Sequence, residues 1–253
     1  MASIEHDGCR KVRKRRSPEQ LTMGAVTSSL GTSTSNNMQS KSKTSLHMFE
    51  EIVGQEIPAE ETLVRETGIL LANKKKYWVD NENKNCFKIF PIDLSITWGD
   101  DTRYWSWVEE CDAGTTIKVA KLLGVAWLDI FGYLEQSYLN PDVTYEVSFE
   151  LKLEKGADGW NEPVEAGVMS ADGVTQKGSV YLQQIMERGK WLPIKVGEVK
   201  SHPGRTGNVS VFLRQGLSHW KTGLLIRGIT ITPKRITVPG RPTSRSNIEW
   251  PYG

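Results

Sequence analysis

The 253-residue chain has little cysteine, little histidine, no long apolar run and almost no net charge. Each shortage removes a class of function. Its three cysteines (Cys9, Cys86, Cys111) lie far apart with no C-x-x-C spacing. That argues against a disulfide framework and fits free thiols in a reducing compartment. The four histidines (His6, His47, His202, His219) are dispersed, so neither a metal cluster nor a Ser–His or Cys–His arrangement is legible. No metal and no cofactor are expected. No apolar run reaches the ~18 residues that a membrane span needs. The N-terminal basic cluster is followed by Ser, Thr and Asn, unlike the apolar core of a secretory signal, so a protein of the cytoplasm or nucleus is expected. Lys and Arg number 32 against 30 Asp and Glu, a formal charge of +2. This balance argues against a dedicated nucleic-acid binder and against an acidic solvating chain.

Residues 1–45 lack Phe, Trp and Tyr entirely. Such a segment buries too little apolar surface to offset its ordering entropy, and a disordered tail is expected. Within it, Arg10-Lys11-Val12-Arg13-Lys14-Arg15-Arg16 reads either as a nuclear-import signal or as a solvated charged run. Residues 46–90 read as a short helical extension followed by strands. Leu46, Phe49, Ile52 and Val53 recur at helical spacing, Pro58 separates two segments, and the helical pattern runs to about Leu71. Two strands then fit Lys74–Asp80 and Asn85–Phe90, joined by Asn81-Glu82-Asn83. Residues 91–233 read as all-β. Val143–Glu154 alternates apolar and polar residues for twelve positions, the signature of a strand with one face in a core. Val125–Leu134 is apolar at both parities and reads as a more central strand, with further strands at Asn208–Leu213 and Leu224–Thr232. Tyr181–Arg188 fits a helical turn. Turn clusters at Gly156–Gly159, Ala171–Gly173 and His202–Gly204 punctuate the pattern, as in a sandwich or barrel. Residues 234–253 read as a flexible tail.

Nine tryptophans stand out, and three of them fall in Asp93–Trp107. Leu94, Ile96 and Trp98 share one strand face, Gly99-Asp100-Asp101-Thr102 suits a turn, and Tyr104, Trp105 and Trp107 follow. A hairpin here would set Trp98 beside Tyr104 or Trp105. An aromatic face beside turn carboxylates is what a sugar needs: the ring takes the apolar C–H face and the polar groups bind hydroxyls. Large aromatics are also the natural filling of a sandwich core, and the pattern leaves both readings open. Trp127, among Val125, Leu128, Ile130 and Phe131, reads as core; Trp191 and Trp220 flank turns and fit either core or rim, with Trp220, between His219 and Lys221, the better rim candidate.

The stretch resembles the start of the domain of the phloem protein 2 (tobacco-agglutinin-like) lectin family. The similarity continues through Val125–Gly132, Tyr145–Leu153, Trp191–Glu198 and Trp220–Ile229. It implies a jelly-roll-type β-sandwich, no metal, and binding of N-acetylglucosamine oligosaccharides, N-glycan cores or glycoproteins, in phloem or in stress and defence responses. In the tobacco-agglutinin branch, the tryptophan of the Ile-Thr-Trp element and the first tryptophan of the Tyr-Trp-x-Trp element are tied to sugar binding. These match Trp98 and Trp105, with Asp100 and Asp101 as polar helpers and Trp107 left to the core. Ser210 and Gln215 stand where that branch has acidic residues, which affects sugar preference. A homo-oligomer would raise avidity from weak single sites. An enzyme reading needs two suitably spaced carboxylates, and the adjacent turn carboxylates do not supply them; no catalytic residue is assigned. The rival is a non-catalytic protein-interaction or filament-forming protein of the same fold.

Overall fold

The computed structural model describes residues 46–54, 61–112, 114–216 and 218–235. The expected N-terminal tail with its basic run, the break at Pro58 and nearly all of the C-terminal tail lie outside the described residues. Among the described residues, thirteen strands form two antiparallel sheets. β13 (Leu224–Pro233) is the axis of the larger one. Along one edge it pairs with β8 (Thr144–Leu153), which pairs in turn with β11 (Leu192–Lys200). Along the other edge it pairs through Leu225 and Ile226 with β6 (Thr115–Leu122), and through Ile229–Ile231 with β3 (Asn85–Ile89). β6 continues to β5 (Trp105–Asp112), and β3 to β2 (Lys75–Val79) and β1 (Ile69–Leu71). The smaller sheet runs β10 (Thr175–Val180), β9 (Val164–Met169), β12 (Asn208–Gln215), β7 (Leu128–Glu135) and β4 (Ser95–Ile96).

The expected strand at 143–154 is β8, whose burial alternates without a break from Thr144 to Leu153. Tyr145, Val147, Phe149, Leu151 and Leu153 point inward with Ile226, Ile229 and Ile231 of β13. They share one core with Leu128 and Ile130 of β7, Val164, Ala166 and Val168 of β9, and Val209, Val211 and Leu213 of β12. Each large apolar side chain taken out of water here contributes about 1.5–3 kcal/mol before entropy costs. This is an all-β sandwich of jelly-roll type. The sheets touch closely at Gly132 of β7, where a β-carbon would overlap Ile229 Cδ1. Gly228, at φ +141° in the β13 bulge, lets β3 approach: any side chain there would meet the Ile89 carbonyl.

Several expectations hold and some shift. The strands at 74–80 and 85–90 form as β2 and β3, joined by a turn in which Asp80 Oδ1 accepts from the Glu82 and Lys84 amides, both at 2.9 Å. The helical turn after Tyr181 is α3 (Leu182–Ile185), which follows α1 (Phe49–Val53) and α2 (Glu61–Glu66). The helical pattern does not reach Leu71. Gly68, at φ +73°, closes α2 by donating its N–H to the Leu63 carbonyl at 2.9 Å, and Ile69–Leu71 turn into β1. β7 begins at Leu128, and Val125 makes only an isolated bridge to Lys221. β7 is apolar at both parities because its outer face carries Phe131 and Tyr133 while Leu128, Ile130 and Leu134 face the core.

Candidate functional site

The Asp93–Trp107 stretch is not a hairpin. β4 belongs to the smaller sheet and β5 to the larger, so residues 97–104 cross from one sheet to the other at the sandwich edge. The crossing is a series of tight turns. The amide of Gly99 donates to the Ile96 carbonyl (2.9 Å), that of Asp101 to Trp98 (2.9 Å), and those of Tyr104 and Trp105 to Asp101 (3.0 Å each). Trp98 sits at φ +57°, a left-handed conformation that costs an L-residue about 1–2 kcal/mol. Two indoles hold it there. Trp105 Nε1–H donates to the Thr97 carbonyl at 3.1 Å, and Trp107 Nε1–H to the Gly99 carbonyl at 3.2 Å. The carbonyls of Thr97 and Gly99, on either side of Trp98, are thereby fixed, and Trp98 as a residue is left 48% exposed. Behind it stands Tyr104, with ring centroids 5.2 Å apart and planes at 38°.

The expected site residues therefore divide. Trp98 presents an outward aromatic ring. Trp105 is 2% exposed and belongs to the core, so its ring offers no open face and its part is to position Thr97. This departs from the pairing of Trp98 and Trp105 as two platforms; the cause is the change of sheet, which turns the first residue of β5 inward. Trp107 packs partly buried against the same core. Asp101 is engaged by Arg103, whose Nε lies 3.0 Å and whose terminal nitrogen lies 2.6 Å from its carboxylate oxygens. These hydrogen bonds hold the Asp101 carboxyl below its usual range. Arg103 in turn lies 5.2 Å from the Tyr104 ring centroid. Asp100 is exposed on the turn.

Two more tryptophans project outward. Trp220 is 62% exposed, in line with its rim position. Trp127 is 54% exposed and is not core: Leu128 and Ile130 take the inward positions, and Trp127 falls on the opposite parity. The loops bearing both are tied together. Val125 and Lys221 exchange backbone hydrogen bonds of 3.1 and 2.8 Å, and the fully buried Lys221 donates its ammonium to the carbonyls of Ala126 (2.6 Å) and His219 (3.0 Å). Burial lowers the Lys221 pKa. Beside Trp127, a cleft of about 490 Å³ is lined by residues including Asp129, Glu165, Arg214 and Gln215.

A model of the family described as phloem protein 2 matches residues 84–233. The chain belongs to the phloem protein 2 family. The matched span runs from the start of β3 to the end of β13 and includes the Trp98 turn. Among relatives, a protein named "Lectin" from Luffa acutangula is 42% identical over 171 residues, covering 66% of this chain and 81% of the relative. "Protein PHLOEM PROTEIN 2-LIKE A1" from Arabidopsis thaliana is 37% identical over 175 residues, covering 67% and 71%. A solved Clostridium thermocellum xylanase 10B fragment (CBM22-1–GH10 modules) is similar over 59% of this chain and 28% of its own, at 21% identity and a TM-score of 0.34, too slight a likeness to argue from.

Within the phloem protein 2 domain, sequence reasoning missed what braces the Trp98 ring. The contact of Trp98 with Tyr104 was expected from the sequence; the two indole N–H donors, which act across a sheet crossing, were not. Trp127 shares parity with Asp129, Phe131 and Tyr133, but with apolar residues at both parities only the β7 register shows that this parity faces outward. At the positions where the tobacco branch carries acidic residues, Ser210 is buried, and Gln215 Nε2 donates to the Glu162 and Pro163 carbonyls at 3.1 and 2.7 Å.

Proposed function

We infer that this chain is a non-catalytic lectin that binds N-acetylglucosamine oligomers or N-glycan cores with Trp98 as its stacking platform. The observation that carries the reading is the exposed Trp98 ring, held at a strained φ of +57° by two buried or half-buried indole donors. Strain maintained by surrounding structure is a mark of function, and an exposed indole backed by tyrosine suits the C–H face of a sugar. Asp100, exposed beside it, supplies a carboxylate for hydroxyls, and Asp101 and Trp105 shape the turn. Relatives named "Lectin" in Luffa acutangula and Coccinia grandis support carbohydrate as the ligand class. Binding without cleavage is supported by the commitment of Asp101 to Arg103, which leaves Asp100 without a second available carboxylate in the turn. A setting in phloem or stress and defence responses, in the cytoplasm or nucleus, is part of the same proposal.

The test is a thermal-shift titration with chitotriose. A ligand of the folded state adds stability, about 2.7 kcal/mol at 100 times Kd. Wild type shifts upward with concentration and Trp98→Ala does not. A flat response of the wild type at millimolar chitotriose rejects the N-acetylglucosamine assignment.

A further inference from the structure

The outer face of the five-stranded sheet carries a second feature. Along β7, Asp129, Phe131 and Tyr133 alternate outward, and Trp127 continues the row beyond the strand. The Phe131 and Tyr133 rings are nearly parallel, at 7°, with centroids 6.3 Å apart. Phe212 of the neighbouring β12 lies 6.1 Å from Phe131, and Gly167 of β9 leaves room for its ring, since a β-carbon there would meet Phe212 Cζ at 2.6 Å. Tyr133 is 43% exposed. None of these rings is needed to brace the Trp98 turn.

Hydrogen-bonding groups lie beside this row on the neighbouring strands. Arg214, opposite Asp129 in the β12–β7 register, pairs with Glu165 of β9, which Lys177 of β10 also reaches at 3.1 Å. Burial by itself would raise the Glu165 carboxyl, but the hydrogen bonds from Arg214 and Lys177 hold it below its ordinary value, so it stays an acceptor. Two side-chain acceptors at the Trp127 cleft, Asp129 Oδ1 and Gln215 Oε1, are buried without a hydrogen-bond donor. Buried acceptors without donors are rare in folded proteins, and both residues line the cleft beside Trp127.

The geometry points to this face as a second saccharide-binding surface, taking a linear oligosaccharide along β7 from Trp127 past Phe131 to Tyr133. It rests on the reading that the chain binds saccharides, but not on the Trp98 turn. Six residue steps of extended chain span about 20 Å, longer than a single sugar ring, so the face suits a chain rather than a terminal residue. Rings interleaved with charged groups fit a saccharide better than a protein partner, because the centres of protein interfaces are depleted of charge.

The test uses the full chain in calorimetric titrations with chitotriose and with the neutral hexaoses of N-acetylglucosamine, glucose and xylose in β-1,4 linkage. The expected result has two parts. Trp98→Ala retains binding of at least one hexaose, and adding Trp127→Ala and Tyr133→Ala removes it. The Trp127→Ala, Tyr133→Ala double variant alone weakens hexaose binding about tenfold, as loss of aromatic contacts predicts, and leaves chitotriose unchanged. Circular dichroism confirms that each variant is folded, and Tyr133→Phe serves as a mild control that keeps the ring. Hexaose binding unaffected by the double variant overturns this inference while leaving the Trp98 site standing. Loss of all binding in Trp98→Ala also overturns it. Failure of the wild type to bind any of the four sugars overturns both readings.

Discussion

Replacing Trp98 and Trp105 separately distinguishes a platform from a brace. Trp105 is fully packed, so Trp105→Ala removes a large core side chain and costs about 3–5 kcal/mol. In a domain of this size that lowers Tm by roughly 2–4 °C per kcal/mol, about 6–20 °C in all. Trp105→Phe keeps most of the ring but leaves the Thr97 carbonyl without its donor, a loss of about 1–3 kcal/mol. Trp98 behaves differently. Its ring is half exposed, so Trp98→Ala loses little beyond the Tyr104 contact, about 0.5–1.5 kcal/mol. Trp98→Gly relieves the left-handed strain of about 1–2 kcal/mol and offsets it with greater unfolded-state freedom of about 0.5–1 kcal/mol, so its stability stays near that of Trp98→Ala or above it. Chitotriose binding is lost in both Trp98 variants, and in Trp105→Phe it is weakened in step with the loosened turn. Chemical denaturation and sugar titration on the four variants provide the measurements. Should Trp105→Ala retain full stability while losing sugar binding, Trp105 is a contact residue and the bracing argument is wrong.

Other consequences follow from the packing and the charges. Gly132→Val forces a branched side chain against Ile229 and Leu94 and destabilises by about 1–3 kcal/mol or more, measured by urea unfolding. Burial alone would raise the Glu110 carboxyl, but Lys152 at 2.7 Å and Arg227 at 3.0 Å hold it below its ordinary 4.5. Its contribution to stability is therefore full above that value and is lost as pH falls through the lowered one; Glu110→Gln flattens this acid limb of the stability curve, and an unchanged limb contradicts the assignment. Burial, followed by the charge of Asp80, pushes the Cys86 thiol up to about 12, while Cys111 is exposed. Iodoacetamide at neutral pH then modifies Cys111 and spares Cys86 in the folded protein, as peptide mass spectrometry reads directly.

Periodicity determined the strands that touch the core on one side only. Val143–Glu154 could not be misread, because alternation at period two has a single physical cause. The β2–β3 pair was equally legible from its turn residues. Helix length was not, because Ile69–Leu71 continue an apolar pattern that Gly68 alone interrupts. The aromatic content of Asp93–Trp107 and its family resemblance were visible in the sequence, and they marked the stretch as the candidate site. Which indole faces water was decided only by the tertiary structure. The chain changes sheets between Ile96 and Trp105, and that crossing buries Trp105, lifts Trp98 and supplies the indole N–H donors that hold its turn. The same limit applies at Trp127, where four apolar neighbours suggested core and the β7 register turned the ring outward. Local pattern fixes which residues alternate, but the pairing of distant strands decides which face meets solvent.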